Sequence, residues 1–142
     1  RLGLLDRLVF NVIACNTDAH AKNYSILIGA GGTAKLAPLY DVLCGEVWPT
    51  ITRSLPQAIA GKRDATALHG ADWRAFANEV GLSATRTIER VAELCGAVEE
   101  QAGEARDQVA SLPAGGNEVL DRVCRLVLKR AGRLKRQLAG PA

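Results

Sequence analysis

Asn16-Thr17-Asp18-Ala19-His20-Ala21-Lys22-Asn23-Tyr24-Ser25 places a carboxylate, an imidazole, an ammonium and a carboxamide within six residues, directly behind an apolar run. Eighteen residues past Asn23, a second isolated acid, Asp41, follows Leu36-Ala37-Pro38-Leu39-Tyr40. Phosphoryl transfer needs these groups in this order. One carboxylate takes the proton of the attacking hydroxyl, and an amide oxygen and a second carboxylate hold magnesium on the nucleotide phosphates. Asp18 fits the general base; Asn23 and Asp41 fit the metal ligands and face the nucleotide. Taken singly, Asp18 and Asn23 suit a cap or a turn as well. The D-x-x-x-x-N spacing recurs by chance, so the weight rests on the longer string.

That string, followed by Leu36-Ala37-Pro38-Leu39-Tyr40-Asp41-Val42-Leu43, resembles the HipA-type serine/threonine kinases of bacterial toxin–antitoxin systems. The family carries N-T-D-x-H-x-K-N-[FY]-S and then L-A-P-x-Y-D. The likeness is looser beyond Trp48, where Gln57-Ala58-Ile59-Ala60-Gly61-Lys62 and the stretch from Asp72-Trp73 to Gly81-Leu82 are similar to later family segments. The resemblance implies a mainly α (α+β) fold: the helical C-terminal lobe of a protein-kinase-like fold, with one short β-hairpin carrying metal-site residues. It implies ATP and Mg2+ as cofactors and a protein substrate, such as an aminoacyl-tRNA synthetase or other translation factor. A DNA-binding antitoxin protein is the further partner it implies. On this reading residues 1–142 are a C-terminal lobe cut from a longer chain. The β-rich lobe with its glycine loop and strand lysine would lie N-terminal to Arg1, and the fragment alone is expected to be inactive.

His20 stands two residues after the base, where eukaryotic kinases usually carry a lysine that meets the transferring phosphate, and Lys22 comes two later. Both are candidate catalytic residues, and Lys22 is also a candidate γ-phosphate contact. His20 equally suits holding the loop by a backbone hydrogen bond, and Lys22 a solvated position.

At 142 residues and 48% hydrophobic, the chain can bury a core. With only 4% aromatic residues, Leu, Val, Ile and Ala must fill it. A net charge of +3 implies neither a nucleic-acid nor a membrane partner. The four cysteines, Cys15, Cys44, Cys95 and Cys124, form no C-x-x-C pair and read as reduced thiols of a cytoplasmic protein. No stretch is long and apolar enough to span a bilayer as a helix.

Leu2, Leu5, Leu8, Val9, Val12 and Ile13 recur at helical spacing, with Asp6, Arg7 and Asn11 off that face. Residues 24–28 and 33–37 read as strands joined by a glycine turn at 29–32, a hairpin that would return Asp41 to Asn23. A phosphate loop is disfavoured there, because no helix opening on Lys-Ser or Lys-Thr follows the glycines. Residues 44–68 look irregular, with Gly61-Lys62-Arg63-Asp64 as a polar turn. A helix opens at Ala71-Asp72, carries Trp73, Phe76, Ala77 and Val80 inward, and stops at Gly81. Ser83 and Asn117 cap two longer helices, separated by a break at 111–116. On the last helix Arg122, Arg125, Lys129, Arg133 and Arg136 read as a solvated face, with phosphate or an acidic partner as the alternative.

Two other readings compete. One is a non-catalytic helical interaction module that binds an antitoxin/DNA complex through the basic last helix; such a module has no need of Asp18, Asn23 and Asp41 in that order. The other is a hydrolase using Asp18 and His20, but no G-x-S-x-G serine accompanies them.

Overall fold

The computed structural model describes residues 2–113 and 115–140. Ala114, part of the break expected at 111–116, lies outside them. Helix α1 (Leu2–Ile13) buries Leu5, Val9, Val12 and Ile13, as its periodicity predicts. Asn11 departs from the prediction, being buried on the same helix. The helix ends because Cys15 turns left-handed at φ 55. The Cys15 N–H then reaches the Val12 carbonyl at 3.3 Å and the Asn16 N–H reaches the Asn11 carbonyl at 2.9 Å. That closure normally uses glycine, and a residue with a Cβ carries strain of about 1–2 kcal/mol there.

The predicted hairpin forms from β1 (Ile26–Ile28) and β2 (Ala34–Leu36), with Ile26 opposite Leu36 and Ile28 opposite Ala34. A second hairpin, β3 (Ser54–Ile59) with β4 (Lys62–Asp64), corrects the irregular reading of this region. Ala60 and Gly61, both at positive φ, make the tight turn, so the 61–64 segment is mostly strand. The register slips between Ser54 and Ile59, around Pro56, which has no N–H to donate.

Three further helices follow: α2 (Gly70–Glu79), α3 (Ala84–Ala110) and α4 (Glu118–Ala139). Ser83 Oγ accepts the Arg86 N–H at 3.3 Å and Asn117 Oδ1 the Leu120 N–H at 3.0 Å, so both predicted caps form. Gly81 ends the α2 segment at φ 67, but Val80 is exposed rather than inward. The core gathers Val91 and Cys95 of α3, Ala131, Leu134 and Leu138 of α4, and Trp73 of α2 against α1. Leu55, Ile59 and Leu68 close it from the second hairpin side. The loop after α1 is thereby braced on a rigid, buried helix.

Candidate active site

The α1 stop delivers Asn16 and Thr17 into the interior and leaves Asp18 exposed. Asn16 Oδ1 accepts the Asp18 N–H at 3.0 Å, and Asn16 Nδ2 donates to Asn11 Oδ1 at 2.9 Å. Asn11 Nδ2 in turn donates to the Tyr24 hydroxyl at 2.9 Å. This buried relay ties both ends of the loop to α1. Burial pushes the Tyr24 phenol up, while Asn11 and Arg7 act against that shift. Periodicity puts Asn11 on the solvent side of α1, and Asn16, though it opens the motif, carries no assigned role in the sequence reading, so the relay is new.

Asn23 ends a 3-10 turn (Ala21–Asn23) and is buried. Its Nδ2 donates to the Asp18 carbonyl at 3.1 Å and to Asp41 Oδ2 at 3.2 Å. The hairpin thus returns Asp41 to Asn23 as expected. Two clips hold the return. The Tyr40 hydroxyl donates to the Lys22 carbonyl at 2.8 Å and lies 2.8 Å from Ser25 Oγ, and the Arg7 guanidinium donates to the Ala37 carbonyl. Asp41 itself sits at φ 54, a left-handed conformation that costs a non-glycine residue energy. Such strain concentrates where a side chain must be aimed.

His20 Nε2 lies 2.9 Å from Asp18 Oδ1, both side chains being half-exposed. The histidine therefore engages the acid side chain rather than the loop backbone. Lys22 is exposed, and its ammonium forms no ion pair among the described residues. Gln57 Nε2, from the second hairpin, supports the loop by donating to the Ala19 carbonyl at 2.7 Å.

Behind the loop, Asn16 pairs with Cys44 in an isolated antiparallel bridge, and the Gly45 N–H donates to the Cys15 carbonyl at 3.0 Å. A Cβ on Gly45 would fall 2.2 Å from Thr17 Oγ1, so only glycine fits the approach. All four cysteines are free. Cys15 and Cys44 nonetheless meet in one buried cluster with Val47. The neighbouring thiols raise Cys15 and lower Cys44, and burial raises Cys15 further.

No group of three or more His, Cys, Asp or Glu side chains able to hold a metal occurs among the described residues. Magnesium carried on a nucleotide needs less, because phosphates and water complete its octahedron around one or two protein carboxylates. The exposed Asp41 carboxylate and the buried Asn23 carboxamide beside it carry hard oxygens of the kind required, although Asn23 turns its nitrogen toward Asp41.

Comparison with known proteins gives the fold and the family. A chain of the Shewanella oneidensis HipA, HipB and operator DNA complex matches with a TM-score of 0.80 at 22% identity, over 92% of this chain and 30% of that chain. The fold is accordingly that of the matched region of this complex, mainly helical with short hairpins. Residues 1–102 match the family described as HipA-like C-terminal domain, and the chain belongs to that family. Over 112 residues, 78% of its length, it is 36% identical to "Putative kinase Y4mE" of Sinorhizobium fredii, spanning 26% of that protein. Over 79 residues, 56% of its length, it is 29% identical to the serine/threonine-protein kinase toxin HipA of S. oneidensis, spanning 18% of it. The matched region is thus about a quarter or less of either relative. No helix among the described residues is long and apolar enough to cross a membrane.

Proposed function

We propose that this chain supplies the catalytic base and the metal ligands of a HipA-type protein serine/threonine kinase acting on ATP and Mg2+. The observation that carries the reading is the single Asn23 nitrogen shared between the Asp18 carbonyl and the Asp41 carboxylate. It couples the proposed base loop to the proposed metal loop. His20 occupies Asp18 Oδ1 and so orients the carboxylate, leaving Oδ2 to take the proton of a serine or threonine hydroxyl. That hydroxyl oxygen bonds to the γ-phosphorus as the bond to the ADP oxygen breaks. Asp41 and Asn23 Oδ1 would hold magnesium, which when bound neutralises charge on the phosphate oxygens. Lys22 is the proposed γ-phosphate contact, a reading supported by its exposed ammonium having no ion-pair partner among the described residues.

Residues 1–142 are proposed to be the C-terminal lobe of the enzyme, with the phosphate-covering strands supplied by preceding chain. A protein substrate of the translation-factor class and a DNA-binding antitoxin partner are proposed from the family, the latter supported by the HipB in the matching complex. The alternative of a binding module using a free basic helix is weakened at three cations. Arg122 donates to the Val47 carbonyl, Arg130 is buried against Glu46, and Lys135 pairs with Glu99. The test is transfer of γ-phosphate from Mg-ATP to serine or threonine by the gene product containing this chain. Transfer that persists in Asp18→Ala would overturn the assignment.

A further inference from the structure

We infer that a basic cavity between α4 and the start of the second hairpin is a binding site for a phosphate-class oxyanion. The cavity, about 240 Å³, is lined by Arg53, Thr66, Lys129, Arg130, Arg133 and Glu46, with Leu126 at its edge. It shares no lining residue with the Asp18, Asn23 and Asp41 site, and it does not depend on the kinase reading.

Three observations carry the assignment. First, the cations converge from separate elements. Lys129 and Arg133 are one helical turn apart on α4, and Arg53 comes from the segment before β3. Second, none of these three has a carboxylate partner among the described residues, so the only acid in the lining leaves them uncompensated. Glu46 is the sole acid among the lining residues, and its carboxylate is already held by Arg130. Three unpaired like charges around one concavity repel each other unless an anion sits between them. Third, Arg130 in the wall is 95% buried, yet its Nη1 has no hydrogen-bond partner. Nη1 itself is closed off from the cavity surface, so Arg130 contributes its charge, while the exposed forks of Arg53 and Arg133 are the groups that match an oxyanion. The nearby Asp64 carboxylate feels Arg130 and Arg133 but forms no ion pair with either among the described residues, and its Oδ1 is taken by the hydroxyl and the amide of Thr66.

The volume exceeds what one phosphate needs and leaves room for the stem that bears it. The shared chemistry is therefore a phosphoryl dianion, either free or carried on a side chain. Its position has a structural consequence: Glu46 lies in the turn Gly45–Val47, which is bridged to Cys15 at the root of the Asp18 loop.

The test is an amide-resolved NMR titration of the chain with inorganic phosphate, and separately with O-phosphoserine, at constant ionic strength in chloride. Saturable shifts are expected at residues 53, 66 and 129–133. Tighter binding of O-phosphoserine assigns the side-chain source, and equal binding the free ion. Lys129→Gln and Arg133→Gln, at exposed side chains, should each weaken binding about tenfold, the loss of one charge-assisted hydrogen bond. Arg53→Gln, from a different element, should do the same, and Arg125→Gln should not. Shifts that never saturate, or that are unchanged in the three Gln variants, overturn the site.

Discussion

The Asn23 carboxamide reaches the Asp41 carboxylate at 3.2 Å across eighteen intervening bonds of sequence, while the same nitrogen holds the Asp18 carbonyl. Asn23→Ala should therefore loosen both loops at once, and Asn23→Asp should do worse, because it sets a second negative charge against Asp41. Losing a hydrogen bond to a charged group costs about 1.5–3 kcal/mol, the lower end applying where, as here, the bond is only partly buried. Urea unfolding should rank the variants wild type, Ala, Asp. An Asp variant as stable as wild type would contradict the contact.

Glu46 and Arg130, 84 residues apart, form a nearly buried ion pair that ties the Gly45–Val47 turn to α4. Truncating one partner leaves the other charge buried, a loss of about 3–5 kcal/mol. Arg130→Ala should lower stability by that much, while the double variant Arg130→Met with Glu46→Leu should recover most of it. Equal losses in the single and double variants would mean that the charge pairing is irrelevant.

Gly45 approaches Thr17 too closely for any side chain. Gly45→Ala should cost about 1–3 kcal/mol through overpacking, and adding Thr17→Ala should restore part of it, since the nearest clash is with the Thr17 hydroxyl. A calorimetric Tm for Gly45→Ala equal to wild type would show that the two loops are not locked there.

Acid stability should depend on Asp72. Burial raises its carboxyl, but the His69 N–H at 2.8 Å and the Lys62 ammonium at 2.9 Å outweigh it and hold the carboxyl below its ordinary 3.8. A depressed folded-state pKa contributes stability that is complete above the unfolded value and lost as pH falls through the folded one. Asp64, held down by the Thr66 hydroxyl and amide, acts in the same sense. Tm should fall below about pH 4, and Asp72→Asn should flatten that acid limb. An acid limb of unchanged depth in Asp72→Asn would rule the residue out.

The helices were readable because their apolar faces repeat and their caps are local: Ser83, Asn117 and Gly81 each stand where the chain stops or starts. The Asn23–Asp41 approach was readable too, since a hairpin with a glycine turn returns its ends together. The second hairpin was hidden by Pro56 and a register slip, which erase the alternation that marks a strand. Asn11 was misplaced because periodicity assigns polar residues to solvent and cannot see a partner such as Asn16 or Tyr24. The meeting of Cys15 with Cys44, and of Glu46 with Arg130, follows from packing between distant segments and leaves no trace in spacing.

The most direct test of the account is a magnesium titration of phosphoryl transfer by the gene product containing this chain, in Asp18→Asn and in Asp41→Asn. Asp18→Asn removes the proposed base and keeps its shape. Turnover should fall about a hundred- to ten-thousandfold with the magnesium requirement unmoved. Asp41→Asn removes a charge that faces the metal, so the magnesium concentration for half-maximal rate should rise together with the loss of turnover. A shifted magnesium requirement in Asp18→Asn, with none in Asp41→Asn, would contradict the assignment of the two acids.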